Sequence, residues 1–145
     1  MVIFKEVLRP PIWVLAFIYF LLLSLVIAIW AAFDNNVALV AFIIATIAII
    51  YIAIAMRSTI TLDGEELRID RAHIDIKYLG SATVLDSPTM RLLRTRDADP
   101  AAYLAIKFWM PKGIKITVVD PRDPTPYWLI TSKRGEEIAA LLGKP

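Results

Sequence analysis

Two long uncharged runs dominate the pattern of apolar and polar positions. No residue from Pro11 to Phe33 carries a charge, nor does any from Val37 to Met56, and only Asp34-Asn35-Asn36 separates the runs. At a 1.5 Å rise per residue they extend about 35 Å and about 30 Å as helices. A bilayer's hydrocarbon core is about 30 Å thick, so the pattern predicts a transmembrane helical hairpin over 11–56. Trp13 and Trp30 lie near the two ends of the first helix, about 25 Å apart along its axis, as suits residues that concentrate at the two membrane–water interfaces. Ser24, Ala28 and Ala32 recur every four residues. On the second helix Ala38, Ala41, Ala45, Ala48 and Ala55, with Ile52, recur at steps of three and four. Small residues at such spacings let helices approach closely, so these faces are expected to meet each other or a second copy of the chain.

Beyond Arg57 the apolar period falls to two. Ile60 and Leu62 alternate with Thr59 and Thr61, Leu67 and Ile69 with Glu66, Arg68 and Asp70, and Ile74 and Ile76 with His73, Asp75 and Lys77. Asp63-Gly64 is a hairpin turn signal. Gly80 reads as a break before a fourth strand over 82–86, and residues 87–100, with a turn at Asp86-Ser87-Pro88-Thr89, read as a connector between two sheets. Three further strands are predicted over 103–109, 114–120 and 127–131. Pro111-Lys112-Gly113 supplies one turn, and the stiff, proline-rich stretch Asp120–Pro126 supplies the next. A short helix over 135–142 carries Glu136 and Glu137 in its first turn and Ile138, Leu141 and Leu142 on one face, with Gly143 placed to cap it and Pro145 beyond.

These elements predict an α+β protein in three parts. Residues 1–10 form a basic juxtamembrane lead-in, 11–56 the hairpin, and 57–145 a small antiparallel β-domain of about seven strands closed by the terminal helix. That order is pleckstrin-homology-like, the helix covering the open end of a core between two small sheets. The lead-in's apolar side chains (Val2, Ile3, Phe4, Val7, Leu8) lie along the membrane surface or belong to a frayed terminus; the pattern leaves both open. Lys5 and Arg9 precede the first apolar run as in a secretory signal, but that run exceeds the 7–15 residues of a signal's apolar core, and a second follows at once. The first helix is therefore expected to be retained. Lys5, Arg9 and Arg57 flank the hairpin while its turn carries only Asp34, so the positive-inside rule places both termini in the cytoplasm.

Composition narrows the chemistry. The chain has 145 residues and a formal net charge of +2. The balance from Arg57 onward is 14 basic to 12 acidic residues, which argues against a nucleic-acid partner. There is no cysteine and one histidine, His73, so thiolate chemistry and histidine-rich metal sites within one chain are excluded. His73 falls on the polar side of a strand. The carboxylate pairs Glu65-Glu66, Asp97/Asp99 and Asp120/Asp123 fall in turns, where such residues are common for local reasons. No glycine-rich phosphate loop, nucleophile elbow or zinc-helix motif is present. The expectation is a chain that is not an enzyme, with no catalytic residue, metal or cofactor.

The best candidate binding residues are Arg91, Arg94 and Arg96, clustered around Leu92 and Leu93. Guanidinium groups match phosphate bidentately, and basic residues near a membrane are drawn to anionic lipid. Lys107, Lys112 and Lys115 join this patch if the fold brings them close. The proline-rich stretch is a second candidate, for a protein partner, although Trp109, Tyr127 and Trp128 beside it suit a barrel core.

Three segments carry a family resemblance: Val7-Leu8-Arg9-Pro10-Pro11-Ile12-Trp13, Lys77-Tyr78-Leu79-Gly80, and above all Asp120-Pro121-Arg122-Asp123-Pro124-Thr125-Pro126-Tyr127-Trp128-Leu129. Through them nearly the whole chain resembles the domain-of-unknown-function family 3093, small membrane proteins of actinobacteria. The resemblance implies a bacterial plasma-membrane protein and supplies no catalytic residues. The part after the hairpin is more loosely similar to membrane-tethered pleckstrin-homology-like domains, which implies a non-enzymatic binding role. The reading that results is a multi-pass membrane protein presenting a cytoplasmic β-domain to a protein partner or anionic lipid headgroups. The alternative is a subunit of an oligomeric membrane enzyme or transporter, for which the spans offer only Tyr19, Ser24, Thr46 and Tyr51 as polar groups.

Overall fold

The structure, a computed structural model, describes residues 1–143; Pro145, expected beyond the terminal helix, lies outside them. The chain divides into two units. One is Arg9–Arg57, and the other joins Met1–Leu8 to the chain from Ser58 onward.

The first unit is the hairpin of α1 (Ile12–Ala32) and α2 (Asn35–Ala55). Each helix has 21 residues, about 31 Å of rise, and both are long and apolar enough to cross a membrane. Almost none of their side chains is buried: only Val14 on α1, and Ala38 and Ala45 on α2. Asp34 starts α2 by accepting a hydrogen bond from the Val37 N–H at 2.9 Å. Trp30 Nε1 donates to Asn35 Oδ1 across the turn at 2.8 Å. Deeper in, the Tyr19 and Thr46 hydroxyls meet at 3.0 Å, and Ser24 donates to the Phe20 carbonyl at 2.9 Å, so these hydroxyls have partners without water. Ala38, Ala41, Ala45, Ala48 and Ile52 are buried or half-buried, whereas Ser24, Ala28, Ala32 and Ala55 are exposed. The alanine seam of α2 therefore serves the hairpin itself, and the small-residue ridge of α1 does not.

The second unit holds two four-stranded sheets. The first has the order β1 (Val2–Leu8), β2 (Ser58–Asp63), β3 (Glu66–Ile69), β4 (Ala72–Asp75), all antiparallel. A turn of 3₁₀ helix, Ile76–Tyr78, leads to the second sheet, of order β5 (Leu79–Leu85), β7 (Gly113–Val118), β8 (Tyr127–Thr131), β6 (Tyr103–Ala105). Phe4, Leu8, Ile60, Leu62, Leu67, Ile69 and Ile74 from the first sheet share one core with Ile114, Ile116, Trp128 and Ile130 from the second. The terminal helix α4 (Gly135–Leu142) adds the fully buried Ile138 to it.

Several expectations are corrected here. Residues 1–8 are neither frayed nor laid flat: they are an edge strand of the β-domain, paired from Val2↔Asp63 to Leu8↔Ser58. Phe4, Glu6 and Leu8 point inward, a period of two. Gly80 does not break the chain but lies in β5 at a register shift. Segment 87–100 is not a connector between the sheets, which meet at Ile76–Tyr78. Instead it begins with α3 (Ser87–Arg94), whose N-terminus Asp86 caps by accepting from the Thr89 N–H at 3.0 Å. The Thr89 hydroxyl, and after it that backbone bond, hold Asp86 below the ordinary carboxylate pKa of 3.8. Pro88 sits in the first turn, where a missing N–H costs nothing. The strand expected over 103–109 stops at Ala105 and runs parallel to β8. Gly143 ends α4 with a right-handed backbone and an N–H bond to the Ala139 carbonyl at 2.9 Å.

Helix α3 explains why β8 is buried along its whole length. Trp128 and Ile130 face the main core, while Tyr127 and Leu129 pack with Leu85 and the fully buried Met90 of α3 in a second, smaller core.

Candidate functional site

The last turn of α3 carries Arg91 and Arg94, where the helix dipole favours cations. The two line one cleft of about 300 Å³ with Ser87, Thr95, Phe108 and Pro111. Arg94 is half-buried. Its Nη2 donates to the Met110 carbonyl at 2.7 Å, which ties α3 to the chain after β6. Its Nε is buried with no partner among the described residues, and desolvation lowers its pKa from the ordinary value. Arg91 is exposed and forms no ion pair among the described residues.

Arg96 does not line this cleft. It pairs with Asp97 at 3.0 Å, which raises its pKa. The expected lysines are elsewhere too. The ammonium of Lys115 lies over the Tyr127 ring, 4.4 Å from its centre. Lys107 is fixed through its backbone N–H to Thr131 Oγ1 at 3.1 Å. Lys112 lines a separate cleft of about 400 Å³ with Lys133 and Arg134. Of the predicted patch, then, the fold joins Arg91 to Arg94 and disperses the rest.

Five of the six paired carboxylates are engaged locally, Asp97 by Arg96. Glu66 pairs with Arg68. Asp99 accepts from the Ala101 N–H, Asp120 from the Arg122 N–H and Asp123 from the Thr125 N–H, each at 2.9 Å. His73 stands exposed on β4, opposite Arg68. The proline-rich stretch is clamped at its start: Arg122 Nη2 donates to the Tyr78 hydroxyl at 2.8 Å and its guanidinium lies over that ring, while the Val119 N–H donates to the Tyr78 carbonyl. Two of the segments singled out in the sequence thus meet at one corner.

Sequence reasoning missed Glu6. Its buried carboxylate accepts from Ser132 Oγ at 2.5 Å and from the Lys133 N–H at 2.9 Å. Arg134 closes the same junction, donating to the Lys5 carbonyl at 3.3 Å and covering the Phe4 ring. The signal was there, since Phe4, Glu6 and Leu8 alternate along a run too short for a helix. Glu6→Ala leaves the buried Ser132 hydroxyl and the part-buried Lys133 N–H without their acceptor and is expected to cost about 2 kcal/mol, measured by chemical denaturation of the full chain in detergent.

A family model described as "Protein of unknown function (DUF3093)" matches residues 3–142. No curated protein and no solved structure matches the chain.

Proposed function

The chain belongs to the DUF3093 family of proteins of unknown function, and from that premise we propose that it is an integral protein of the bacterial plasma membrane. In this reading its hairpin tethers a non-catalytic, pleckstrin-homology-like binding domain at the cytoplasmic face. The observation that carries the reading is the pairing of β1 with β2 across the hairpin, Leu8 opposite Ser58. It makes the hairpin an insertion in the first connection of a β-fold, which supports a chain that leaves and re-enters that fold on one side of the bilayer. It also argues against a cleaved signal, because cleavage would remove Phe4, Glu6 and Leu8 from the domain's interior.

Four further observations support it. The helices leave large apolar side chains such as Phe17, Phe20, Ile44, Ile47 and Ile54 uncovered. Exposed Trp13 and Tyr51 mark the ends nearest the β-domain in sequence, and exposed Trp30 and Phe33 mark the turn, as interfacial aromatics do. Lys5, Arg9 and Arg57 against Asp34 favour the turn outside. The β1–β4 meander, the antiparallel trio β5-β7-β8 and α4 follow the pleckstrin-homology order, with α3 and β6 as additions. For self-association, the exposed Ser24, Ala28 and Ala32 ridge is the face suited to a second copy.

The chain's lack of cysteine makes the topology easy to test. In intact cells a membrane-impermeant maleimide is expected to label Asn36→Cys and to reach Lys133→Cys only after permeabilisation. Labelling of Lys133→Cys from outside, or release of the protein by alkaline washing, would refute the proposal.

A further inference from the structure

The α3 cleft has a second feature besides its arginines: an apolar rim. Leu92 and Phe108 are exposed, Phe108 to 65%. Pro88 and Leu92 line the surface beside Arg91, and Phe108 and Pro111 line the cleft that Arg91 shares with Arg94. Phe108 meets the Trp109 ring edge-on. Large apolar side chains grouped around an unpaired guanidinium make a poor surface in water and a good one at a headgroup boundary. There the rim enters the acyl edge while the cation meets phosphate.

Resting on the tether proposed above, we propose that this surface docks on the bilayer itself: Arg91 binds the phosphate of an anionic lipid, and Leu92 and Phe108 insert beside it. Arg94 positions the surface through its bond to the Met110 carbonyl, which holds the Phe108 loop against α3. The charge complementarity decides the occupant. Arg91 has no acidic partner among the described residues, and Lys5, Arg9 and Arg57 already favour the leaflet richest in anionic lipid. The tether keeps that leaflet within reach, because only 9–11 and 56–57 join the helices to the strands.

The test uses the full chain reconstituted in vesicles of phosphatidylcholine, with or without phosphatidylglycerol, and an environment-sensitive fluorophore on Leu92→Cys. Quenching by spin-labelled lipid is expected to be stronger with phosphatidylglycerol present. Arg91→Glu should lower the docked-to-undocked ratio by about fivefold or more, and Arg91→Lys should retain most of it, which separates charge from misfolding. A probe on His73→Cys, on another face, should stay unquenched. Equal quenching in both vesicles, no effect of Arg91→Glu, or no quenching at all would overturn the proposal; the last outcome would assign the surface to a polypeptide. Protection of the probe by inorganic phosphate without lipid quenching would make it a free-phosphate site and overturn it too. Alkaline release from the same vesicles would instead mean that the tether reading had failed.

Discussion

Replacing residues 9–57 with a two-residue Asn-Gly turn is expected to yield a water-soluble, cooperatively folding β-domain, whereas a chain beginning at Ser58 is expected to aggregate. Leu8 and Ser58 are register partners in an antiparallel pair, and a two-residue loop joins such a pair. No strand of the domain is disturbed by that closure. Starting at Ser58 removes β1, and with it Phe4 and Leu8 from the main core and Glu6 from the β8–α4 junction. Each large core side chain is worth about 2–5 kcal/mol, against a total stability of about 5–15 kcal/mol for an ordinary domain. The loss also bares β2 as an edge. Gel filtration and thermal unfolding followed by tryptophan fluorescence would compare the two chains. Equal stability would mean that β1 contributes nothing to the fold.

The second large effect is expected at Gly113. This buried residue pairs with Leu85 on one side and Thr131 on the other. A Cβ there would press into the Ile130 carbonyl and the end of Met90. The carbonyl belongs to a central strand and has nowhere to move. Gly113→Ala should therefore cost about 3 kcal/mol, the upper part of the usual range for overpacking. Gly80→Ala provides the contrast, since its nearest obstacle is the Thr117 hydroxyl, a side-chain atom that can rotate away. It should cost markedly less. Met90→Ala in the Gly113→Ala background should recover little, because the carbonyl clash remains. Similar midpoints for the two single variants in denaturant titrations would refute this ranking.

The hairpin, the β2–β3 turn, the β8 strand and α4 were legible because each is governed by local pattern. The first two runs need only length and the absence of charge. Gly135–Leu142 carries an apolar face and acids in its first turn. What escaped depended on partners distant in sequence. Met1–Leu8 looks like a basic lead-in until β2 is placed beside it, 50 positions away from Leu8 to Ser58. Asp86-Ser87-Pro88-Thr89 has the composition of a turn and the chemistry of a helix start. Only the need to cover the second face of β8 decides between them. Of the site, the sequence showed the arginines but not their division. Which of them stays free is fixed by the Met110 carbonyl and by Asp97.

The pairing of β1 with β2 also sets an order of events at the ribosome. The first strand emerges at once, yet its partner is made only after both helices have been synthesised. In the topology proposed above, the β-domain therefore cannot finish folding until the hairpin has been delivered to the bilayer with its two ends side by side. A copy that fails at insertion would be left with an orphaned strand and an open hydrophobic interior, the kind of surface that chaperones and proteases recognise. Under that proposal, membrane integration and a completed domain are a single outcome, and quality control acting on the β-domain would also police the hairpin.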